Sequence, residues 1–266
     1  MMKHLVIGKT SQLAHYFPIE NFEFVGSRDI DVGTISEERW DRIYICAAEQ
    51  RTFLKNVDFA HYNIEATINL IDQIKESCNK VIVYSTTELW NETAGAIALD
   101  TPHCFKRTPY ILSKKAMTQR ILTNRADYNN VIILYPFNFN STMRRPGFLF
   151  GKIFDSIINK KKIEIGDTYF YRELLHPKFV ALQSILADKH TIIGSGRVVF
   201  VNDFIRDLYA HFGLQYEDYV IEKIDKKDPK DQSIFFLNSQ KCLYPYGELF
   251  ADTVEDLSSK IKWAAA

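Results

Sequence analysis

Leu5-Val6-Ile7-Gly8-Lys9-Thr10-Ser11-Gln12-Leu13-Ala14 is the stretch on which the fold turns. The run His4 to Ile7, which stops at a glycine, reads as a buried strand entering a tight turn. Similar runs return at Phe22 to Val25, Ile43 to Cys46, Val81 to Tyr84 and Val131 to Leu134, separated by segments of helical period. That alternation predicts a parallel, doubly wound α/β sheet. Between the third and fourth runs, Asn63-Ile64-Glu65-Ala66-Thr67-Ile68-Asn69-Leu70-Ile71 places apolar residues three and four apart, which predicts one long helix crossing the sheet. Beyond Tyr135-Pro136-Phe137-Asn138 the rhythm becomes irregular. A helix is expected near Leu149 to Asn159, a strand near Ile163 to Ile165, and helices around Val201 to Phe212 and Val254 to Ile261. The reading is therefore a first domain over 1–137 and a smaller C-terminal substrate lobe over 138–263, with some segments returning to the core of the first.

Composition narrows the class of protein. The 266 residues can bury a sizeable core, and neither the 46% hydrophobic nor the 25% charged fraction suggests disorder. With 33 basic and 33 acidic residues the formal charge is zero, so no general attraction to nucleic acid or an anionic membrane is indicated. Cys46, Cys78, Cys104 and Cys242 are scattered and form no metal-like pair, which fits reduced thiols, no metal site and a cytoplasmic location. No apolar run approaches the length that spans a bilayer, and no signal-peptide pattern is seen.

In a doubly wound sheet, ligands bind beyond the carboxyl ends of the strands, where the first strand-to-helix turn offers backbone N–H groups to a pyrophosphate. Residues 8–14 occupy that turn. The usual pattern there is G-x-x-G-x-x-G, and only Gly8 survives, with Ser11 and Ala14 at the other two positions. Ser11 would be strained if its backbone needed a positive φ. After the second strand, Gly26-Ser27-Arg28 offers an arginine where a carboxylate would bind a ribose hydroxyl, so NADP is favoured over NAD, although Asp29 and Asp31 follow closely.

Tyr110-Ile111-Leu112-Ser113-Lys114 sets a phenol and an ammonium four apart, on one face of a helix. A phenol titrates near about 10, and a neighbouring cation that favours phenolate brings it toward working pH. Upstream, Ser85-Thr86-Thr87-Glu88 follows a buried strand. A hydroxyl at a strand end also serves as a helix cap, and the residues alone leave both roles open.

Taken together these motifs resemble the extended short-chain dehydrogenase/reductases that modify nucleotide sugars. Gly8-Lys9-Thr10-Ser11-Gln12-Leu13 is similar to the cofactor turn of dTDP-4-dehydrorhamnose reductases, and Ala47-Ala48 to the pair that lines the cofactor there. Ser85-Thr86-Thr87-Glu88-Leu89-Trp90 is similar to GDP-mannose 4,6-dehydratases and GDP-4-keto-6-deoxymannose reductases. So are Arg107-Thr108-Pro109-Tyr110, Phe137-Asn138-Phe139-Asn140 with Arg144-Arg145, and Val201-Asn202-Asp203-Phe204-Ile205.

The resemblance implies a Rossmann-like cofactor domain in which Tyr110 exchanges a proton with the sugar oxygen, Thr86 hydrogen-bonds that oxygen, and Lys114 holds the cofactor ribose. Gly8, Thr10, Ser11, Gln12, Leu13, Ser27, Arg28, Ala47 and Ala48 would complete the NADPH site. Asn138, Lys152 and Arg172 would bind the nucleotide sugar, with Arg172 on its diphosphate. His176 is expected to be structural. A homodimer through a four-helix bundle is implied as well, involving the Tyr110 helix and the long helix before it.

Glu88 leaves the reaction open. A glutamate there removes a proton during elimination in the dehydratases, and some reductases also carry it. The chain's shortness and its altered Gly8 turn favour a 4-ketoreductase acting on a GDP-linked 4-keto-6-deoxy sugar in surface-polysaccharide synthesis, with a 4,6-dehydratase or epimerase as the alternative. A catalytically inactive cofactor-binding scaffold is a third reading, since fold does not entail activity.

Overall fold

The computed structural model describes residues 3–223 and 234–264. The chain divides into two compact units. The first comprises the chain up to Leu89, His103–Pro136 and Val180–Ile193; the second comprises Trp90–Pro102, Phe137–Phe179 and the chain from Gly194.

The first unit is built on six strands: β1 (His4–Ile7), β2 (Phe22–Val25), β3 (Trp40–Ile45), β4 (Cys78–Tyr84), β5 (Val131–Pro136) and β6 (Thr191–Ile193). Their order is β6-β5-β4-β3-β1-β2, and every ladder is parallel. The doubly wound sheet expected from the sequence is thus present. All four residues of β1 and all six of β5 are buried, which is why these strands read as unbroken apolar runs. The order turns back at β1, with β2 on one side and β3 on the other. That is the topological switch point, and the residues after β1 and β3 border its crevice.

Three helices follow from local signals. Asp31 starts α1 (Val32–Glu37) by accepting from the backbone N–H groups of Gly33 and Thr34. Thr108 caps α3 (Pro109–Thr123), its Oγ1 accepting from Ile111 N at 3.3 Å, with Pro109 preset for the first turn. The long helix expected from Asn63 is in two pieces: a π-helical turn, His61–Glu65, and then α2 (Ala66–Ile74), which buries Thr67, Ile68, Ile71 and Ile74. The wider turn brings Asn63, fully buried, onto the inward face.

The first crossover departs from expectation. Between Ile7 and Phe22 the chain has residues 8–21 and forms only a three-residue 3-10 helix, Ala14–Tyr16. Fourteen residues are close to the minimum for joining parallel strands, about a dozen. An aromatic cluster holds the short path in place. Phe17 is buried, with its ring centroid 4.7 Å from that of Tyr44 and 5.5 Å from that of Phe22, and the chain turns into β2 at Asn21, φ 65°.

The second unit contains short ladders and helices. Asn138–Phe139 pairs with Leu174–Leu175, Ile163–Ile165 with Val220–Glu222, and Gly95–Ile97 with Phe235–Leu237, all in parallel; Tyr171–Arg172 pairs with Val199–Phe200 antiparallel. Helix α4 (Leu149–Asn159) buries Phe150, Ile153, Phe154 and Ile157 and ends at Lys160 in the left-handed conformation. Helix α5 (Pro177–Leu186) belongs to the first unit from Val180 on and leads into β6; in the second unit α6 (Val201–His211) and α7 (Tyr216–Tyr219) follow. The final helix α8 spans Tyr246–Ala264, starting eight residues before the expected Val254.

Candidate active site

At the switch point Gly8 has φ 102°, and a Cβ added to it would lie 2.8 Å from Ala47 N and 3.1 Å from the Cys46 carbonyl carbon. Only glycine fits there, which ties the turn after β1 closely to the loop after β3. Gly8 N and Lys9 N both donate to the Val25 carbonyl, at 2.9 and 3.0 Å, and Ser11 N donates to Gly8 O at 2.8 Å. Ser11 is not among the residues with positive φ, so the turn accepts serine at the second glycine position without strain. Its Oγ accepts from Ala14 N at 3.1 Å. Thr10 is exposed, Gln12 half-buried and Leu13 buried in the same turn, while Ala47 is half-buried and Ala48 exposed.

Beyond β2, Asp29 N donates to Gly26 O at 3.2 Å, closing a turn that exposes Ser27 and Arg28. The Asp29 carboxylate lies where a Gly26 side chain would begin, 2.4 Å from a Cβ built there, and is 3.8 Å from Lys9 Nζ. Asp31 has a different task. Its carboxylate caps α1, and the Thr34 hydroxyl hydrogen bond, with help from the Thr34 and Gly33 amides, holds its pKa below the usual value. Asp29 is thus the acid left beside Arg28.

Tyr110 and Lys114 lie one turn apart on α3. Lys114 is 4% exposed, and its Nζ donates to the Tyr84 carbonyl at the end of β4, 2.8 Å away. Burial pulls the pKa of this ammonium down to about 8. One turn further on, Thr118 Oγ1 donates to Ser85 Oγ at 2.9 Å, so α3 is fastened to the end of β4 at two points. Of the three hydroxyls there, Ser85 is engaged by Thr118, and Thr87 donates to Pro136 O at 3.3 Å. Thr86 Oγ1 accepts from Glu88 N at 3.2 Å, which leaves its own proton to donate elsewhere. Glu88 is half-buried, and Tyr110 is half-buried with its ring edge-on to Phe59 at 5.9 Å.

Asn63 is a residue the sequence reading did not single out as functional. Its Nδ2 donates to Glu49 O at 3.0 Å and to Ser113 Oγ at 3.1 Å, while its Oδ1 accepts from Glu49 N at 2.9 Å. Ser113 Oγ in turn donates to Tyr110 O at 2.7 Å. One amide therefore links the loop after β3 to the first turn of α3. The available signal was a polar residue at spacing four from Thr67 and eight from Ile71, on the buried face.

In the second unit the expected substrate residues stand on separate elements, Asn138 and Arg172 on two different ladders and Lys152 on α4. Asn138 is exposed opposite Leu174. Lys152 Nζ donates to Glu164 O at 3.1 Å. Arg172 pairs with Val199, and its guanidinium carbon lies 5.8 Å from the Phe170 ring and 5.9 Å from the Phe235 ring. His176 is buried, with Nδ1 accepting from Lys178 N at 3.3 Å and Nε2 3.7 Å from Asp256 Oδ2, a carboxylate that also accepts from Thr142 N at 2.7 Å. Among the described residues no group of three or more His, Cys, Asp or Glu side chains is placed to hold a metal, and no helix is long and apolar enough to cross a membrane.

Comparison with known proteins bears on this arrangement. The model of the NAD dependent epimerase/dehydratase family matches residues 8–190. No curated protein matches the sequence closely enough to count as a relative. Among solved structures the chain is similar to dTDP-glucose 4,6-dehydratase from Bacillus anthracis in complex with NAD, at 16% identity and TM-score 0.77, covering 99% of this chain and 98% of that one. It is similar to RMD from Pseudomonas aeruginosa complexed with NADPH, at 15% identity and TM-score 0.74, covering 97% and 100%. It is also similar to UDP-glucose 4-epimerase from Thermotoga maritima with UDP-glucose, at 17% identity and TM-score 0.77, covering 98% and 100%. At these identities the likeness establishes the fold.

Proposed function

Because this chain belongs to the NAD dependent epimerase/dehydratase family, we propose that it reduces the 4-keto group of a nucleotide-linked 4-keto-6-deoxy sugar, with NADPH as reductant and a GDP-sugar as the favoured substrate. Helix α3 carries this reading. It holds Tyr110 and Lys114 one turn apart and is fastened by Lys114 and Thr118 to the strand end from which Thr86 emerges.

The residues at the switch point fit a dinucleotide: Gly8 lets the turn after β1 lie against the loop after β3, and Lys9 in that turn and Arg28 after β2 supply cations. Gly8, Thr10, Ser11, Gln12 and Leu13 would hold the diphosphate, Ala47 and Ala48 would line the site, and Ser27 and Arg28 would hold the adenosine ribose with its 2'-phosphate. The cofactor supplies the hydride. Tyr110 gives its proton to the sugar carbonyl oxygen as the carbon is reduced, and Thr86 donates a hydrogen bond to the same oxygen. Lys114 has three ammonium protons; one meets Tyr84 O, and the others serve the nicotinamide ribose and the phenol. In the second unit Asn138, Lys152 and Arg172 would take the nucleotide sugar, Arg172 through the diphosphate.

The truncated first crossover supports a reductase. A three-residue 3-10 helix offers little dipole to a pyrophosphate, which suits a cofactor that exchanges in every turnover. A dehydratase or epimerase returns the same hydride and keeps its nucleotide. Chain length does not separate the readings, since the match covers 98% of a dehydratase chain. Glu88, two residues after Thr86 and donating its N–H to the Thr86 hydroxyl, keeps the dehydratase as a second reading. A homodimer through α2 and α3 belongs to the same proposal, supported by Leu112 and Leu122, which are exposed on α3.

Purified protein with NADPH and a panel of 4-keto-6-deoxy sugar nucleotides tests the reading. Consumption of NADPH with formation of a C4 alcohol, seen by NMR, is the expected result. A 4-keto product from GDP-mannose and NADP without reductant would replace it with the dehydratase, and cofactor binding without turnover on any sugar nucleotide with the inactive scaffold.

A further inference from the structure

Glu173 is 1% exposed, and the groups that meet its carboxylate are neutral. Oε1 accepts from Gly196 N at 2.9 Å and Ser195 Oγ at 3.2 Å, and Oε2 accepts from Leu237 N at 2.9 Å. Burial raises the carboxyl pKa despite these donors. The packing is tight around it: a Cβ on Gly194 would lie 2.3 Å from Glu173 Oε1, 2.9 Å from Phe137 Cδ2 and 3.0 Å from Leu237 Cβ. One side chain thus joins three segments of the second unit, namely its own strand end, the turn at 194–197 and the strand Phe235–Leu237.

That last strand connects Glu173 to its neighbour. Phe235 is 4% exposed, and its ring lies 5.9 Å from the guanidinium carbon of Arg172. Arg172 is half-buried, with Phe170 as a second ring at 5.8 Å. A guanidinium reads two phosphate or carboxylate oxygens only when its planar fork is correctly turned, and the rings are what restrict it here. Fixing Leu237 fixes the strand that carries one of those rings.

We propose that Glu173 is a positioning residue which, through Leu237 and Phe235, holds the Arg172 guanidinium in the orientation that receives the diphosphate of a nucleoside-diphosphate ligand. This rests on the reading of Arg172 as the diphosphate anchor. A carboxylate is required because both oxygens face donors. In Glu173→Gln the amide keeps one oxygen for Gly196 and Ser195 and turns its NH2 toward Leu237 N, so the arm to Phe235 is the one lost.

The test is calorimetric titration of the full chain with GDP, and with UDP and dTDP in parallel, for wild type, Arg172→Ala, Glu173→Gln and the double variant. Arg172→Ala is expected to weaken binding about tenfold, the scale of one charge-assisted contact. Glu173→Gln is expected to weaken it by about fivefold, with no further loss in the Arg172→Ala background. Phe235→Leu, which leaves the carboxylate network intact, should reproduce the loss and its dependence on Arg172. Additive losses, or a lowered Tm with unchanged affinity, assign Glu173 a merely structural role and overturn the proposal. If no diphosphate binds, or Arg172→Ala binds like wild type, the reading of Arg172 fails first and the proposal falls with it.

Discussion

The Nζ of Lys114 donates a 2.8 Å hydrogen bond to the carbonyl oxygen of Tyr84, and this one contact buries a cation against the last residue of the central strand β4. The ammonium is stabilised by the carbonyl but loses its water, and the loss of water dominates, taking the pKa from 10.5 to about 8.

Stability should therefore depend on pH in a defined window. Between about 8 and 10.5 the unfolded chain keeps a proton that the folded chain has released, so folding becomes more favourable as pH rises. The contribution is complete above 10.5 and is lost as pH falls through about 8. Lys114→Met removes it. Denaturant midpoints of wild type and variant measured from pH 7 to 10.5 should converge as pH rises; parallel curves would contradict the assignment.

Tyr110→Phe is expected to lower kcat by about 10²- to 10⁴-fold, the usual contribution of a positioned proton donor, while NADPH affinity changes little. Stopped-flow turnover and fluorescence titration separate the two effects. Unchanged turnover would remove Tyr110 from the chemistry.

If NADPH binds as proposed, Lys9 and Asp29 would tune the balance between the two nicotinamide cofactors. Their charges are 3.8 Å apart, with side chains 52% and 71% exposed, so water screens the pair heavily and its effect is modest. Asp29→Asn should tighten NADPH relative to NADH by about two- to fivefold, because a 2'-phosphate no longer faces a carboxylate. Arg28→Ala should weaken NADPH by about tenfold and leave NADH alone. Equal changes for both cofactors would show that neither residue meets the 2'-phosphate.

Gly8→Ala should destabilise the chain by about 1–3 kcal/mol, since alanine is strained at φ 102° and its methyl would press on Ala47 N. Urea unfolding reads the loss. A variant as stable as wild type would mean that the turn can relax away from the loop after β3.

Much of the fold was legible because buried parallel strands are apolar on both faces. β1 and β2 run over the residues their apolar runs define, whereas β4 starts three residues earlier, at Cys78, where Asn79 and Lys80 disguise a strand that still pairs with Trp40 and Arg42. The shared face of Tyr110 and Lys114 follows from a spacing of four. What sequence could not show were features set by packing. The π-helical turn depends on Asn63 finding Glu49 and Ser113, and the missing first helix depends on Phe17 meeting Tyr44 across a short path. Glu173 carries no signal of its own in the sequence, because its partners at 195, 196 and 237 are distant along the chain and two of them contribute only backbone.

The fourteen residues from Gly8 to Asn21 also make this chain a natural host for insertional engineering. Splicing a three-turn helical rod between Ala14 and Phe22 would give the proposed dinucleotide a positive helix end to rest on, and the graft should slow its release enough for it to survive purification.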